Sequence, residues 1–203
     1  MKLKVWFALA LLVVCTSVFA EDPKPKPMSP EEQAMMAAWQ KYMTPSEGHK
    51  QLDGMIGTWD ATVTSTMAPG APPMVSKGTE TNTWVLGGRY VEQKFTGSFM
   101  GQPFHGIGYA GYDNAKKEFF GTWIDSMSTG LMTQTGTASA DGMTWTFKST
   151  GTDPMTGKDM PGETKLFITD KNHHKMEMYM PGPDGKMFKS MEIAYTRHAA
   201  KKK

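Results

Sequence analysis

The chain predicts an all-β fold, an up-and-down antiparallel barrel of about ten strands with one or two short helices ahead of it. Three observations lead there. From Gly57-Thr58-Trp59 the apolar positions fall on every second residue (Trp59, Ala61, Val63, Met67), with Thr58, Asp60, Thr62, Thr64 and Thr66 between them, the pattern of a half-buried strand. Similar stretches recur about nine more times, separated by turn chemistry such as Gly87-Gly88, Met100-Gly101, Asp113-Asn114, Ala140-Asp141-Gly142, Asp170-Lys171-Asn172 and Pro181-Gly182-Pro183-Asp184-Gly185. No segment after the first strand has a helical period of useful length. Closure follows because a flat sheet of that many strands would expose two long edges.

The elements run in order. Residues 1–20 carry Lys2 and Lys4, an apolar run from Val5 to Val14, and the ending Val18-Phe19-Ala20. This reads as a secretory signal peptide cleaved near Ala20, too short for a spanning helix, and it places the mature protein in the periplasm or outside the cell. Cys15 follows Val14 where lipid attachment wants a small residue. Residues 21–28 form a Pro/Lys spacer, stiff and extended. Ser29-Pro30-Glu31-Glu32 supplies a cap, a first-turn proline and a carboxylate for a helix within 29–43. Its Met35, Ala38, Trp39 and Tyr42 make one apolar stripe for packing on another element.

The barrel domain is expected over 44–198, with a basic tail at 199–203. Thr44-Pro45-Ser46-Glu47 opens a second, shorter helix ending at Gly57, whose Leu52, Met55 and Ile56 suit a plug for one end of a barrel. His49 on it reads as a capping or partly exposed histidine. Strands are expected at 57–67, 76–86, 89–99, 102–112, 117–125, 129–139, 143–150, 163–170, 173–180 and 187–197. The longer connections, 68–74 and 151–162, are the candidates for an open rim. Ten strands enclose more room than eight, so interior volume is expected unless large side chains fill it.

Composition narrows the function classes. Cys15 is the only cysteine, so after cleavage the chain has no disulfide, thiolate metal site or cysteine nucleophile. Of 22 basic residues Lys2 and Lys4 leave with the signal, and the remaining 20 balance 20 acidic ones. A neutral chain with a short Lys201-Lys202-Lys203 tail gives no basic stripe for nucleic acid. Roughly 183 residues suffice for one core without staples. There is no Gly-x-Ser-x-Gly elbow, phosphate loop, His-Glu-x-x-His or calcium loop, so an enzyme has no motif behind it.

The residues Leu52, Gly57-Thr58-Trp59-Asp60, Gly87-Gly88-Arg89-Tyr90, Gly106 to Gly111 with Tyr112-Asp113, Gly121-Thr122-Trp123-Ile124-Asp125 and Met191 to Arg197 resemble the calycin superfamily. They are more closely similar to a secreted member of the domain-of-unknown-function family 1579. The resemblance implies a lipocalin-like barrel and no established activity. The resemblance also implies that Gly57-Thr58-Trp59 on the first strand meets Arg197 from the last; a guanidinium stacked on that indole would lock the closed end, a structural pairing of about 0.5 to 2 kcal/mol.

Methionine is the unusual residue: 19 in all, 18 beyond the signal. His174, Met176, Met178 and Met180 share one strand face. Pairing Met180 with Met187 would set Met191 opposite Met176. Such a surface suits a flexible apolar pocket lining. Thioethers with His174 would instead suit Cu(I), through His174, Met176 and Met191 as metal candidates; strand-face neighbours lie about 7 Å apart, so ligands would have to converge from two strands. His105, in Phe104-His105-Gly106-Ile107-Gly108-Tyr109, and Asp125, which shares a face with Trp123, could anchor a polar head or act as an acid and base pair if both pointed inward. Both faces of these strands carry apolar residues, so direction is left open. Glu92 and Glu192 lie on the third and tenth strands. The leading expectation is an exported barrel that binds a small, largely apolar ligand through His105, Trp123, Asp125, Met176, Met178 and Met191. The alternatives are a His/Asp enzyme site, or Cu(I) or haem held through Met and His.

Overall fold

The computed structural model describes residues 27–199. The expected signal peptide, most of the spacer and the lysine tail lie outside the described residues. Helix α1 (Pro30–Met43) starts with the expected box: the Glu32 amide donates to Ser29 Oγ at 3.2 Å and the Ser29 amide to Glu32 Oε2 at 2.6 Å. A short helix α2 (Glu47–Lys50) and a 3₁₀ turn (Gln51–Met55) follow. Ten strands come next: β1 (Gly57–Ser65), β2 (Met74–Val85), β3 (Tyr90–Phe99), β4 (Gln102–Asp113), β5 (Glu118–Asp125), β6 (Met132–Ala138), β7 (Thr144–Thr152), β8 (Asp159–Asp170), β9 (His173–Pro181) and β10 (Met187–Arg197). Each pairs antiparallel with its chain neighbour, and β1 pairs with β10, so the barrel is closed and has no edge.

One end is filled. Leu52 is 1% exposed and packs with Val91, Phe119, Trp145, Phe147 and Leu166, with Met55 and Ile56 against the same cluster. The turn before β1 therefore acts as the plug its sequence suggests. His49 supports it as a buried capping residue: its Nδ1 accepts from the Ser46 amide at 3.0 Å, and its ring meets Tyr112 edge-on. Burial, then the nearby Arg89, hold its pKa below the ordinary histidine value.

The seam that closes the barrel is built around Trp59. Arg197 lies over its indole, Cζ at 4.1 Å from the ring centroid, and donates from Nη1 to the Ile56 carbonyl (2.9 Å) and from Nε to the Lys171 carbonyl (2.9 Å). The indole N–H donates to the Met55 carbonyl at 2.8 Å. Plug, first strand and last strand thus share one buried residue.

Two expectations change. The stripe Met35, Ala38, Trp39, Tyr42 packs on nothing: α1 has no buried residue, and Trp39 and Tyr42 are about half exposed. Leu52, Met55 and Ile56 already fill the barrel end without it. The link from α1 to the barrel is Asn114, whose Nδ2 donates to the carbonyls of Lys41, Tyr42 and Thr44 at 2.8 to 3.2 Å. The loop expected at 151–162 is also shorter, because β7 and β8 continue pairing to Thr152 and Asp159. The connection between β5 and β6 is of the same length, residues 126–131.

Among the described residues, no helix is long and apolar enough to cross a membrane. Trp59→Ala is expected to lower stability by about 3 to 5 kcal/mol and Arg197→Ala by about 2 kcal/mol, both read by thermal and urea unfolding. A melting temperature unchanged in Trp59→Ala would contradict the central place given to this residue.

Candidate functional site

Above the plug the barrel holds a cavity of about 1170 Å³, open at the end carrying the β3–β4, β5–β6 and β7–β8 connections. Its mouth is lined by Phe99, Ser126 to Leu131, Pro154 and Pro161. Its walls are apolar and soft: Phe95, Phe104, Trp123, Met132, Met160, Met176, Met178, Met180, Met191 and Ile193. Alternation places these side chains inside and, on β9, leaves the charged ones outside. On β9, Lys175, Glu177 and Tyr179 face outward, where Lys175 Nζ lies 2.8 Å from Glu177 Oε1 and the Tyr179 hydroxyl donates to Glu177 Oε2 at 2.7 Å. Those two hydrogen bonds lead the causes that pull Glu177 down to about 2.

Trp123 reaches the wall because Gly106 and Gly108 have no side chains. A Cβ on Gly106 would collide with the indole, and one on Gly108 would sit 2.9 Å from Trp123 Cε3. The glycines of Phe104-His105-Gly106-Ile107-Gly108-Tyr109 thus serve close approach of an aromatic ring.

Sequence alternation then settles the candidates. Trp123, Asp125, Met176, Met178 and Met191 all line the cavity. Asp125 accepts from the Trp123 indole N–H at 3.1 Å and from the Met127 amide at 2.9 Å, at the mouth. His105 does not join them. Gly106 is the residue directly across from Asp125 and is buried, so His105, one position along, points to the outer face and is exposed. An acid and base pair of His105 and Asp125 is therefore not formed, nor is a ligand contact from His105. Glu92 faces outward, bonded by Tyr109 and paired with Lys94 at 2.7 Å. Glu192 is outside as well, 2.6 Å from Lys189 Nζ.

The methionine register also differs. Phe188, not Met187, lies across from Met180, and an irregularity between Lys189 and Met191 sets Met191 opposite Met178 and Ile193 opposite Met176. The bulge has a physical use: it keeps Lys189 and Glu192 both outside while turning Met191 in. Met178 and Met191 are thus the facing thioethers. His174 is 4% exposed, its ring edge-on to Trp59 (centroids 4.2 Å) and stacked on Tyr195 (4.4 Å). Among the described residues no three or more His, Cys, Asp or Glu side chains are placed to hold a metal ion together.

At the deep end lies a polar group that sequence reasoning missed. Glu80, 4% exposed, accepts from Asn82 Nδ2 at 2.9 Å and from the Tyr195 hydroxyl at 3.0 Å. Asn82 also donates to the Met55 carbonyl at 3.1 Å, tying the cluster to the plug. Burial raises the pKa of Glu80 above the usual carboxylate value, opposed by the hydrogen bonds of Asn82, Tyr195 and Gln93. Burial, then the carboxylate of Glu80, pushes the Tyr195 hydroxyl well above its usual value. Burial, with Arg197 adding to it, takes His174 down to about 4, so its ring is neutral near pH 7. The signal that points to Glu80 is register: it lies directly opposite Trp59, so an inward Trp59 carries Glu80 inward.

Residues 44–197 match the family described as protein of unknown function, DUF1579. None of the curated proteins matches the sequence. Among solved structures, Rv2717c from M. tuberculosis is similar at TM-score 0.59 and 14% identity, over 77% of this chain and 100% of that one. A redesigned β-barrel is similar at TM-score 0.39 and 16% identity, over 75% of this chain and 96% of that one. At such identity the likeness to Rv2717c shows the fold alone.

The neutral state of His174 has a pH consequence. The unfolded chain protonates this histidine near 6.5, the folded one only near 4. Its contribution is therefore intact above about pH 6.5 and lost as pH falls towards 4, amounting to about 3 kcal/mol. Glu80 acts in the opposite sense, its raised pKa favouring the fold at low pH and losing that advantage as pH rises. Urea unfolding of wild type and His174→Gln across this range isolates the histidine: the stability difference is expected to change by about 3 kcal/mol between about pH 7 and pH 4, and parallel profiles would contradict the assignment.

Proposed function

We propose that this chain, which belongs to the DUF1579 family, is exported and binds a small, largely apolar molecule inside its barrel. The observation that supports the reading is the cavity: about 1170 Å³, open at one end, with walls of aromatic and methionine side chains. Its volume suits a ligand of drug or short-lipid size. Methionine chains rearrange at little energetic cost around differing apolar shapes, so the same wall accommodates related ligands. Trp123, Met176, Met178 and Met191 are the contacts, and Asp125 stands at the entrance. The separation of His105 from Asp125 removes the observation that would have favoured an acid and base enzyme.

Trp59 and Arg197 have a structural role in this reading. They fix the closed end, so that the ligand enters and leaves by the mouth between the β5–β6 and β7–β8 connections.

Nile red, an uncharged apolar dye, is expected to bind saturably and in equimolar amount, with a blue-shifted emission and an added mass in native mass spectrometry. Met178→Trp narrows the cavity and is expected to weaken dye binding by about tenfold, about 1.4 kcal/mol, with little change in melting temperature. Dye binding that does not saturate, or that is indifferent to Met178→Trp, would overturn the reading.

A further inference from the structure

Resting on the binding reading above, we infer that Glu80 selects the head group of the ligand: an amphipathic molecule whose polar end donates hydrogen bonds and carries no negative charge, an alcohol or amine rather than a carboxylate. Three observations converge on it. The first is charge. Among the described residues, the acids that line the cavity are Glu80 deep inside and Asp125 at the mouth, and no lysine or arginine lines it. Arg197 is held over Trp59 and on the carbonyls of Ile56 and Lys171. A carboxylate ligand would find no guanidinium to grip it.

The second is unmet hydrogen bonding. His174 Nδ1, Thr164 Oγ1 and Gln134 Oε1 are buried without a partner, in residues that line the cavity; Thr164 is 2% and His174 4% exposed. Buried polar groups are normally satisfied, and each one left alone is destabilising. The glutamine carbonyl oxygen only accepts, and a neutral imidazole offers one accepting nitrogen. The third is the build of the deep end itself. Glu80 takes hydrogen bonds from Asn82 and Tyr195, which hold its carboxyl in place while leaving it lone pairs to accept from a ligand. Burial raises its pKa, and an amine on the ligand would reverse part of that shift.

The test compares dodecanol, dodecylamine and dodecanoate at about pH 7.5, where the amine is cationic and the acid anionic, by displacement of Nile red and by native mass spectrometry. The alcohol and the amine are expected to bind at least about tenfold tighter than dodecanoate. Glu80→Gln, checked for a cooperative melt, is expected to bring all three within about threefold of one another, while Glu92→Gln, on the outer face, leaves the wild-type ratio in place. Dodecanoate binding as tightly as the alcohol in wild type would overturn the inference, without need of any variant. A ratio unchanged in folded Glu80→Gln, or one that moves with Glu92→Gln instead, would overturn it too. Nile red bound without discrimination among the three sinks only the role of Glu80; absence of binding by the dye and all three amphiphiles sinks the cavity reading itself.

Discussion

The structure depends on the contact of Trp59 with Arg197. Closing ten strands requires the first and last to meet in a defined register, and here the pair Trp59 and Arg197 sits directly across that seam. The indole buries a large apolar area and gives a face to the guanidinium, whose remaining donors take carbonyls from the plug and from the β8–β9 turn. Because the indole N–H and Asn82 both reach the Met55 carbonyl, the plug cannot shift without disturbing the seam. One residue thereby couples closure of the sheet to closure of one end, and the other end is left open.

That asymmetry makes the interior. Leu52 and the aromatic cluster of Phe119, Trp145 and Phe147 fill the lower barrel, while Phe95, Trp123 and the methionines coat the upper part without filling it. The difference is one of side-chain shape. The tilted rings of Phe119 and Trp145, with centroids 4.3 Å apart, pack solidly, whereas unbranched methionine chains lie along a wall and leave space between them.

Charge is sorted with equal sharpness. The lysine and glutamate pairs of β8 and β10 lie on the outer surface, where water screens them and each pair contributes little. Inside, a single deep carboxyl stands among hydrogen-bond donors and a neutral histidine. Such a group is tolerated at low dielectric because its partners are in place before any ligand arrives. Its position also gives the cavity a polar end and an apolar end.

Much of this was determined by the sequence alone. The alternation that starts at Trp59, the turn residues and the capping box around Ser29 act over a few neighbours, so the strands, α1 and the plug residues Leu52, Met55 and Ile56 could be read locally. The pairing of Trp59 with Arg197 was legible through the family resemblance, which sets a Gly-x-Trp on the first strand against an arginine from the last. What tertiary structure decided was direction and pairing across strands. His105 faces out because Gly106 and Gly108 must face in to receive Trp123; Met191 meets Met178 because of a one-residue irregularity after Lys189; α1 buries no residue, the barrel end being filled without it. Glu80 stayed hidden for the same reason: β2 is polar on both faces, so alternation cannot orient it, and only its register against Trp59 turns it inward. A strand's period is two, so a shift of one residue exchanges its faces, and that shift is set by partners far away in the chain.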